Sequence, residues 1–278
     1  MVVIDASVED ATATVADATA TVDAGPHVIC SAAEPALTTM PANAYLEPSM
    51  YVDNLTLVAR SVPGPSVFEA VRPNLTSPFG NFEAVTVIQS EIQDQTFLDV
   101  ETLGLGMTVL GMGASGTPRQ LLTCADPPSV ACVPAAVFDD LGAAIEDDLD
   151  GPTLANRDGQ LVLAFSRGDA IYLAQPRATL AEWDAVLFDL GIEGALADDP
   201  AFTVDGRLLI VAMTVGATSG LFAYLWDPAN QTYGDPQLFA TALGAPAIGV
   251  ETATTIEIFG HGDSRGVSEP HRLSCTKP

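Results

Sequence analysis

The chain has 278 residues, 48% of them hydrophobic, and its 36 acidic and 10 basic residues give a formal net charge of -26. This charge argues against a nucleic-acid ligand, because neutralising phosphates requires clustered Lys and Arg side chains, and it also disfavours anionic membrane surfaces. A cation, a basic partner or a neutral ligand suits the charge better, and the same charge also serves solubility.

Residues 1–29 differ from the rest of the chain in composition. Their first part, "MVVIDASVEDATATVADATATVDAGP", consists mainly of Ala, Thr, Val and Asp and contains no aromatic residue. Such a segment buries too little apolar surface to offset the conformational entropy lost on ordering. We therefore predict a disordered tether over 1–29 and one domain over 30–278. The given sequence does not start with the positively charged and apolar regions of a signal peptide. We expect that Met1 replaces an export or lipoprotein signal.

From residue 47 onward the chain repeats one pattern of acids and a proline, a tight turn, and an apolar run. Three copies are "EPSMYVDNLTLVARS" (47–61), "DGPTLANRDGQLVLAFS" (150–166) and "DDPAFTVDGRLLIVAM" (198–213). A fourth copy, "DQTFLDVETLGLGMTVLGM" (94–112), aligns with 199–217 without a gap. A fifth, at 245–260, has lost the acids and the Asp-Gly pair. Repeat units therefore begin near residues 47, 94, 150, 198 and 245.

Each unit is predicted to form four short strands separated by turns. In the second unit, for example, the fourth strand is predicted over "PAAVFDD" (134–140). The Asp-Gly pairs at 158–159 and 205–206 suit tight turns that need positive φ. A period of about 50 residues built from strands is typical of a β-propeller, in which sheets with two apolar faces pack around an axis. We predict an all-β, five-bladed β-propeller with four-stranded antiparallel blades.

The segment "LLIVAMTVGATSGLFAYLW" (208–226) carries no charge over a length close to that of a membrane-spanning helix. Its centre, "TVGATSG", is a polar turn that contains glycine, and short apolar runs flank it. This pattern favours a buried hairpin of two strands. We therefore predict no transmembrane segment, with a membrane helix as the alternative.

The repeat resembles a known family of propeller repeats. An acid-Pro opening, an Asp-Gly turn, an apolar strand such as "LVLAFS" and a strand ending in Arg, such as "AIYLAQPR", are similar to the TolB-type, WD-like repeat. The resemblance extends over about residues 30–278 and is closest in units one, three and four. It implies a propeller of a type common among exported bacterial proteins and lipoproteins. Members range from protein-docking modules to domains appended to enzymes, so function is implied only weakly.

The four cysteines occupy related positions in two of the units. Cys124 ends the third strand of unit two and Cys132 precedes its fourth strand, whereas Cys275 ends the third strand of unit five. If the N-terminal segment supplies the missing outer strand of unit five, Cys30 takes the position of Cys132. We therefore predict disulfides Cys30–Cys275 and Cys124–Cys132, a ring closed by strands from both termini, and an oxidising compartment. Four reduced thiols are the alternative, and no Cys-x₂-Cys pair indicates zinc.

The innermost strands of a propeller line its axial channel, so the residues that open them are expected at one mouth of the channel. These residues are the acids Glu47, Asp94, Asp150, Asp198 and Asp199. Three interpretations remain open: carboxylates that satisfy backbone groups, a Ca²⁺ site, or a glycosidase pair of acid and base or nucleophile. Repetition favours the structural interpretation, because catalysis needs distinct roles. No other cofactor is predicted.

The segment "HGDSRGVSEPHR" (261–272) contains Ser, His and Asp, but it spans one hairpin turn and is predicted to be a solvated loop. The predicted function is therefore a non-catalytic, monomeric propeller that binds a protein or a glycan or acts as a scaffold. It is expected to be secreted, periplasmic or on the cell surface. A lipid anchor is one expected means of attachment to the membrane. The alternative is a hydrolase, glycosidase-like or Ca²⁺-dependent, with its site at the channel mouth.

Proteolytic peptide mapping without reductant tests both sulfur pairings. We expect two linked peptide pairs, one containing Cys30 and Cys275 and the other Cys124 and Cys132, and both pairs should separate after reduction. Any of the other pairings that four cysteines allow would contradict the predicted register of the repeats.

Overall fold

A computed structural model describes residues 28–38, 44–50, 55–62, 67–84, 92–98, 108–113, 121–125, 133–146, 149–264 and 267–277. Within these ranges the chain forms β-strands and turns and no helix, as predicted for an all-β protein. A helix able to cross a bilayer is accordingly not found in the described ranges. Residues 1–27 lie outside the described residues, and the tether stays a prediction.

The strands up to residue 145, in chain order, are β1 (Ile29–Cys30), β2 (Glu34–Pro35), β3 (Ala44–Met50), β4 (Thr56–Val62), β5 (Val67–Val71), β6 (Glu83–Ala84), β7 (Ile92–Leu98), β8 (Thr108–Gly113), β9 (Leu121–Ala125), β10 (Val133–Pro134), β11 (Ala136–Phe138) and β12 (Ala144–Ile145). The later strands are β13 (Leu149–Arg157), β14 (Gln160–Arg167), β15 (Ala170–Pro176), β16 (Glu182–Leu187), β17 (Leu196–Phe202), β18 (Leu208–Val215), β19 (Thr218–Asp227), β20 (Thr232–Tyr233), β21 (Gln237–Thr241), β22 (Gly244–Glu251), β23 (Thr255–Ser264) and β24 (Val267–Thr276).

The described strands form five sheets. Sheet 1 contains β3 to β6, sheet 2 contains β7 to β10, and sheet 3 contains β13 to β16 with β11 and β12 at its edge. Sheet 4 contains β17 to β21, and sheet 5 contains β22 to β24 together with β1 and β2. The first strands of successive sheets contact each other, and β22 of sheet 5 contacts β3 of sheet 1. The five first strands therefore lie together at the centre of the molecule.

The strand β14 shows why the apolar runs of the repeat do not alternate with polar residues. Leu163 and Phe165 belong to a core cluster that includes Leu121 of sheet 2. Val162 and Ala164, on the opposite face, belong to the cluster shared with sheet 4. All four β14 side chains are at most 1% exposed. A strand buried on both faces needs a continuous apolar run, and β18 repeats this arrangement between sheets 3 and 5.

Two local predictions from the sequence are confirmed. The uncharged segment 208–226 lies in the hairpin of β18 and β19, where Val215 pairs with Thr218, so the alternative of a membrane helix is wrong. The turn between β13 and β14 has φ of 52° at Asp158 and 85° at Gly159. Positive φ at both central residues is the requirement of a two-residue hairpin turn of this kind.

Sheet 3 corrects the prediction of four antiparallel strands in every blade, because it has six strands and β11 pairs with β16 in parallel. The strand predicted over 134–140 is divided at Ala135. The Ala135 N–H donates to the carbonyl of Leu121 in sheet 2, and the Ala136 N–H donates to the carbonyl of Ala181, each at 2.8 Å. The chain therefore leaves β9 after Ala135 and passes to the edge of the neighbouring sheet.

The N- and C-terminal strands of the described chain meet in sheet 5. β1 and β2 pair antiparallel with β24, and Cys30 lies directly opposite Cys275. The two cysteines form a disulfide between positions 245 residues apart, the pair that the repeat register predicts. Cys124 lies in β9, but its side chain and the whole of Cys132 lie outside the described part of the structure. The second disulfide therefore stays a prediction.

A buried ion pair joins sheets 1 and 5. Arg72 donates hydrogen bonds of 2.8 and 2.7 Å to the two carboxylate oxygens of Glu257, and the two side chains are 0% and 5% exposed. Arg272 lies 2.5 Å from the same carboxylate. The guanidinium of Arg72 also lies 4.7 Å from the ring centre of Phe79. Removing one member of such a pair leaves a buried charge without its partner, which is costly.

We expect Arg72→Gln to lower the free energy of unfolding by about 3 kcal/mol, because among the described residues Glu257 then keeps Arg272 as its one cationic partner. Arg207→Gln is the matched control, since Arg207 pairs with Asp158 on the surface with side chains 59% and 51% exposed. Its expected cost is at most about 1 kcal/mol. Urea unfolding followed by circular dichroism measures both, and equal costs would contradict the importance of the buried pair.

Candidate functional site at the start of the first strands

The first strand of every sheet is irregular near its start. Its pairing with the second strand shifts register between Leu46 and Ser49, Ile92 and Gln95, Asp150 and Thr153, Asp198 and Pro200, and Gly244 and Ala247. Four of these shifts include the proline of the repeat. Proline cannot donate to the ladder and is tolerated in a strand at a bulge. The acid-Pro pattern in the sequence therefore marks the position of a β-bulge in the first strand.

The residue before the proline has a left-handed backbone in the three bulges for which φ is described. The φ angle is 52° at Gly151, 43° at Asp199 and 42° at Ala245. A residue that has a Cβ loses about 1–2 kcal/mol in this conformation. Strained backbone of this kind concentrates at binding and catalytic sites, which draws attention to Asp199.

The five predicted acids occupy two different positions of the bulge. Asp150 and Asp198 stand two residues before the proline, whereas Glu47 and Asp199 stand directly before it, as Asp94 does before Gln95. The structure describes the strands that contain Glu47 and Asp94, but not their side chains. The acids thus form two sets with different surroundings.

Asp150 and Asp198 bind the backbone in the same way. Oδ1 of Asp150 accepts a hydrogen bond of 3.1 Å from the Gly151 N–H, and Oδ1 of Asp198 accepts one of 2.9 Å from the Asp199 N–H. Each carboxylate therefore accepts a hydrogen bond from an N–H group within the bulge. Asp198 has a further role, because the hydroxyl of Ser166 in sheet 3 donates to it at 2.7 Å.

Asp199 lies against the neighbouring bulge. A Cβ placed on Gly151 would lie 2.9 Å from Oδ1 of Asp199 and 3.0 Å from its Cα. Glycine at position 151 therefore provides the space that the Asp199 carboxylate occupies. This contact brings residues of two first strands, β13 and β17, together at one end of the molecule.

Asp198 and Asp199 both line a cavity of about 570 Å³ between sheets 4 and 5. Asp169, in the turn between β14 and β15, lines the same cavity, as do His261 of β23 and Ser268 of β24. Carboxylate, imidazole and hydroxyl groups give the cavity a polar wall, and Leu243 and Met213 add apolar surface. A site of this size and mixture suits a small polar ligand.

Two of these cavity residues were missed at the sequence level. Asp169 belongs to the turn "RGD" (167–169), where the only sequence signal is that of a turn. His261 lies in the segment predicted to be a solvated loop, which is wrong at this position: β23 continues to Ser264, and His261 pairs with Pro270 of β24. A Cβ on Gly244 would lie 3.2 Å from Cε1 of His261, so the imidazole packs against the start of β22.

In the described part of the chain, no group of three or more His, Cys, Asp or Glu side chains is arranged to hold a metal ion. The carboxylates of Glu47 and Asp94 lie outside the described side chains. A Ca²⁺ ion at the mouth stays a prediction.

No protein-family model matches the chain, and no curated protein sequence matches it. Similar folds are found among solved structures. The β-fructofuranosidase from Schwanniomyces occidentalis complexed with fructosyl-erythritol has a TM-score of 0.58 at 10% identity, over 86% of this chain and 58% of that chain. This chain therefore spans little more than half the length of that enzyme.

Two further structures match along nearly their whole length. The endo-arabinase from Bacteroides thetaiotaomicron VPI-5482 has a TM-score of 0.56 at 14% identity, over 86% of this chain and 96% of that chain. A protein of unknown function from Dyadobacter fermentans DSM 18053 has a TM-score of 0.55 at 9% identity, over 90% and 99%. With the sheets described above, these similarities define the class of the fold: the chain is a β-propeller. At sequence identities of 9% to 14% these similarities show the fold and not the activity.

Gly151→Ala is expected to cost more stability than Gly216→Ala. Both glycines have positive φ, 52° and 60°, so each substitution costs about 1 kcal/mol in backbone strain. The added methyl group would meet Asp199 at position 151, whereas nothing lies within 4 Å at position 216. We expect an additional loss of roughly 1 kcal/mol or more at Gly151 in urea unfolding. If both variants lose the same stability, the close contact between the bulges is wrong.

Proposed function

We propose that the protein hydrolyses a glycan in the cavity between sheets 4 and 5, with Asp198 and Asp199 as the reacting carboxylates. One observation carries this proposal: two carboxylates on consecutive residues of a bulge line the same cavity but have different surroundings. Asp198 accepts hydrogen bonds from Ser166 and from the backbone, whereas Asp199 lies against Gly151. Glycoside hydrolysis requires two carboxyl groups with two distinct roles.

The contacts support an assignment of the two roles. Two donors orient the Asp198 carboxylate, which suits the residue that acts as base or nucleophile. Asp199 is assigned the role of the general acid, because it lines the cavity beside Asp198 and its carboxylate lies against the neighbouring bulge at Gly151. The names of the similar structures, an endo-arabinase and a fructofuranosidase bound to fructosyl-erythritol, favour a furanose-containing glycan as substrate.

A non-catalytic module that binds a glycan or a protein is the second candidate. It is favoured by the shared contact of Asp150 and Asp198, which each accept the N–H of the next residue. A carboxylate used in the same way in two repeats is explained by stability of the bulge alone. Under this candidate the cavity binds its ligand without cleaving it.

The proposed architecture is a ring of five blades closed by strands from both ends of the chain. Contacts between β22 and β3, the core cluster shared by sheets 5 and 1, and the Arg72–Glu257 pair support closure. Pairing of β1 and β2 with β24 and the Cys30–Cys275 disulfide support it as well. Membership of the TolB-type family remains part of the proposal.

The proposed setting is an oxidising compartment outside the cytoplasm, where a disulfide persists. The Cys30–Cys275 bond supports it, and a net charge of -26 suits a neutral glycan better than an anionic polymer at the acidic mouth. A monomeric state and a lipid anchor are carried forward as expectations of the same proposal.

The test measures release of reducing sugars from arabinan and fructan by the full chain. Asp199→Asn is expected to lower kcat/KM by about 100-fold or more, the usual contribution of a general acid. Asp158→Asn is the matched control, because Asp158 also has positive φ, 52° against 43°, but lies in the turn at the other end of β13. Asparagine is tolerated in this conformation, so both variants should fold.

The same assay separates the two candidates. Saturable glycan binding by the unaltered chain without any sugar release would support the binding module and contradict hydrolysis. Equal activity of the unaltered chain and Asp199→Asn would show that this residue is not the acid. Absence of both binding and release with these polysaccharides would overturn the choice of glycan.

A further inference from the structure

A second cavity lies at the opposite end of the molecule from the acidic bulges. It has a volume of about 540 Å³ and lies between sheets 3 and 4, where β13, β15 and β19 end. We call it the arginine groove, because Arg157 and Arg177 both line it. Its other polar and aromatic lining residues are Gln175, Asp184, Phe188, Trp226, Gln231, Thr232 and Tyr233. The chain has only 10 basic residues against 36 acids, so two guanidinium groups in one groove stand out.

Arg157 is held in place by aromatic side chains. Its guanidinium carbon lies 3.7 Å from the ring centre of Trp226 and 5.5 Å from that of Tyr233. Its Nη1 donates a hydrogen bond of 3.1 Å to the Tyr233 hydroxyl, which itself donates at 2.7 Å to the carbonyl of Gly206. The planar group is therefore positioned before any ligand arrives, which lowers the entropy lost on binding.

Among the residues that the structure describes, no acid forms an ion pair with Arg157. Arg177 pairs with Asp184 inside the groove, and carboxylates likewise pair with Arg72, Arg207, Arg272 and Lys277. Within the described ranges no carboxylate lies at ion-pair distance from Arg157. The hydroxyl of Tyr233 cannot take this role near neutral pH, because burial raises its pKa to about 12.

The groove also offers hydrogen-bonding groups that suit hydroxyls. Gln175, Gln231 and Thr232 line it. Phe188 and Trp226 add apolar surface of the kind on which a sugar ring packs.

We propose that the arginine groove binds a sugar that carries a carboxylate group, with Arg157 bonding the carboxylate. A guanidinium presents donors in a fixed planar fork that matches the two oxygens of a carboxylate. The amides and the hydroxyl bond the hydroxyls of the sugar, and the aromatic side chains contact its ring. The site is separate from the proposed hydrolytic cavity and holds whether or not that cavity is catalytic.

The test follows tryptophan fluorescence during titration with D-galacturonate, D-galactose and acetate. The chain has two tryptophans, and Trp183 is 0% exposed in the core, so a change in emission reports on Trp226 in the groove. We expect saturation by galacturonate below about 10 mM, and at least about 10-fold weaker binding of galactose and acetate. If galactose bound as tightly as galacturonate, the carboxylate would not contribute to binding. If acetate bound as tightly as galacturonate, the sugar ring would not contribute.

Substitutions of Arg157 test whether this residue binds the carboxylate of galacturonate. Arg157→Gln is expected to weaken galacturonate binding by about 10-fold or more, and Arg157→Lys, which keeps the charge but not the fork, by about 5-fold. Arg207→Gln is the matched control on the same end of the molecule and should bind within about 2-fold of the unaltered chain. Asp199→Asn, at the opposite end, should also leave binding unchanged. The proposal would be overturned if the unaltered chain gave no saturable signal. It would also be overturned if the Arg157→Lys and Arg157→Gln variants bound galacturonate as tightly as the unaltered chain.

Discussion

The packing of sheets on both of their faces is the constraint on which the rest of the structure depends. Val162 and Leu163, adjacent on β14, are each at most 1% exposed because they face two different neighbouring sheets. A single sheet of this composition would expose two apolar faces to water, at a cost proportional to their area. Each sheet is therefore stable only beside its neighbours, and contacts between the last and first sheets matter as much as those within a sheet.

The junction of sheets 5 and 1 is reinforced by interactions of a different kind. The Cys30–Cys275 bond and the pairing of β1 with β24 hold the N-terminal segment in sheet 5. The buried Arg72–Glu257 pair crosses to sheet 1. Hydrophobic burial is non-directional, whereas these bonds require one particular partner at one position. They specify which sheets meet, and hydrophobic packing supplies most of the energy.

The two ends of the first strands differ in chemistry for reasons of backbone geometry. At their starts, proline interrupts the ladder and a bulge exposes N–H groups, which the carboxylates of Asp150 and Asp198 accept. At the end of β13, Arg157 instead stacks on Trp226. The carboxylates of the bulges and the Arg157 guanidinium thus lie at opposite ends of the first strands.

The sequence by itself determined the all-β class, the positions of the repeats, the hairpin at 208–226 and the Cys30–Cys275 pair, because these follow from local periodicity and from register between repeats. Only the tertiary structure decided that "PAAVFDD" divides between two sheets, that Asp169 and His261 line a cavity with Asp198, and that Arg157 stacks on Trp226. Contacts of this kind join residues from different sheets, and their distances depend on how the sheets twist and pack. No pattern within one repeat records that geometry, because each repeat contributes only one wall of each cavity.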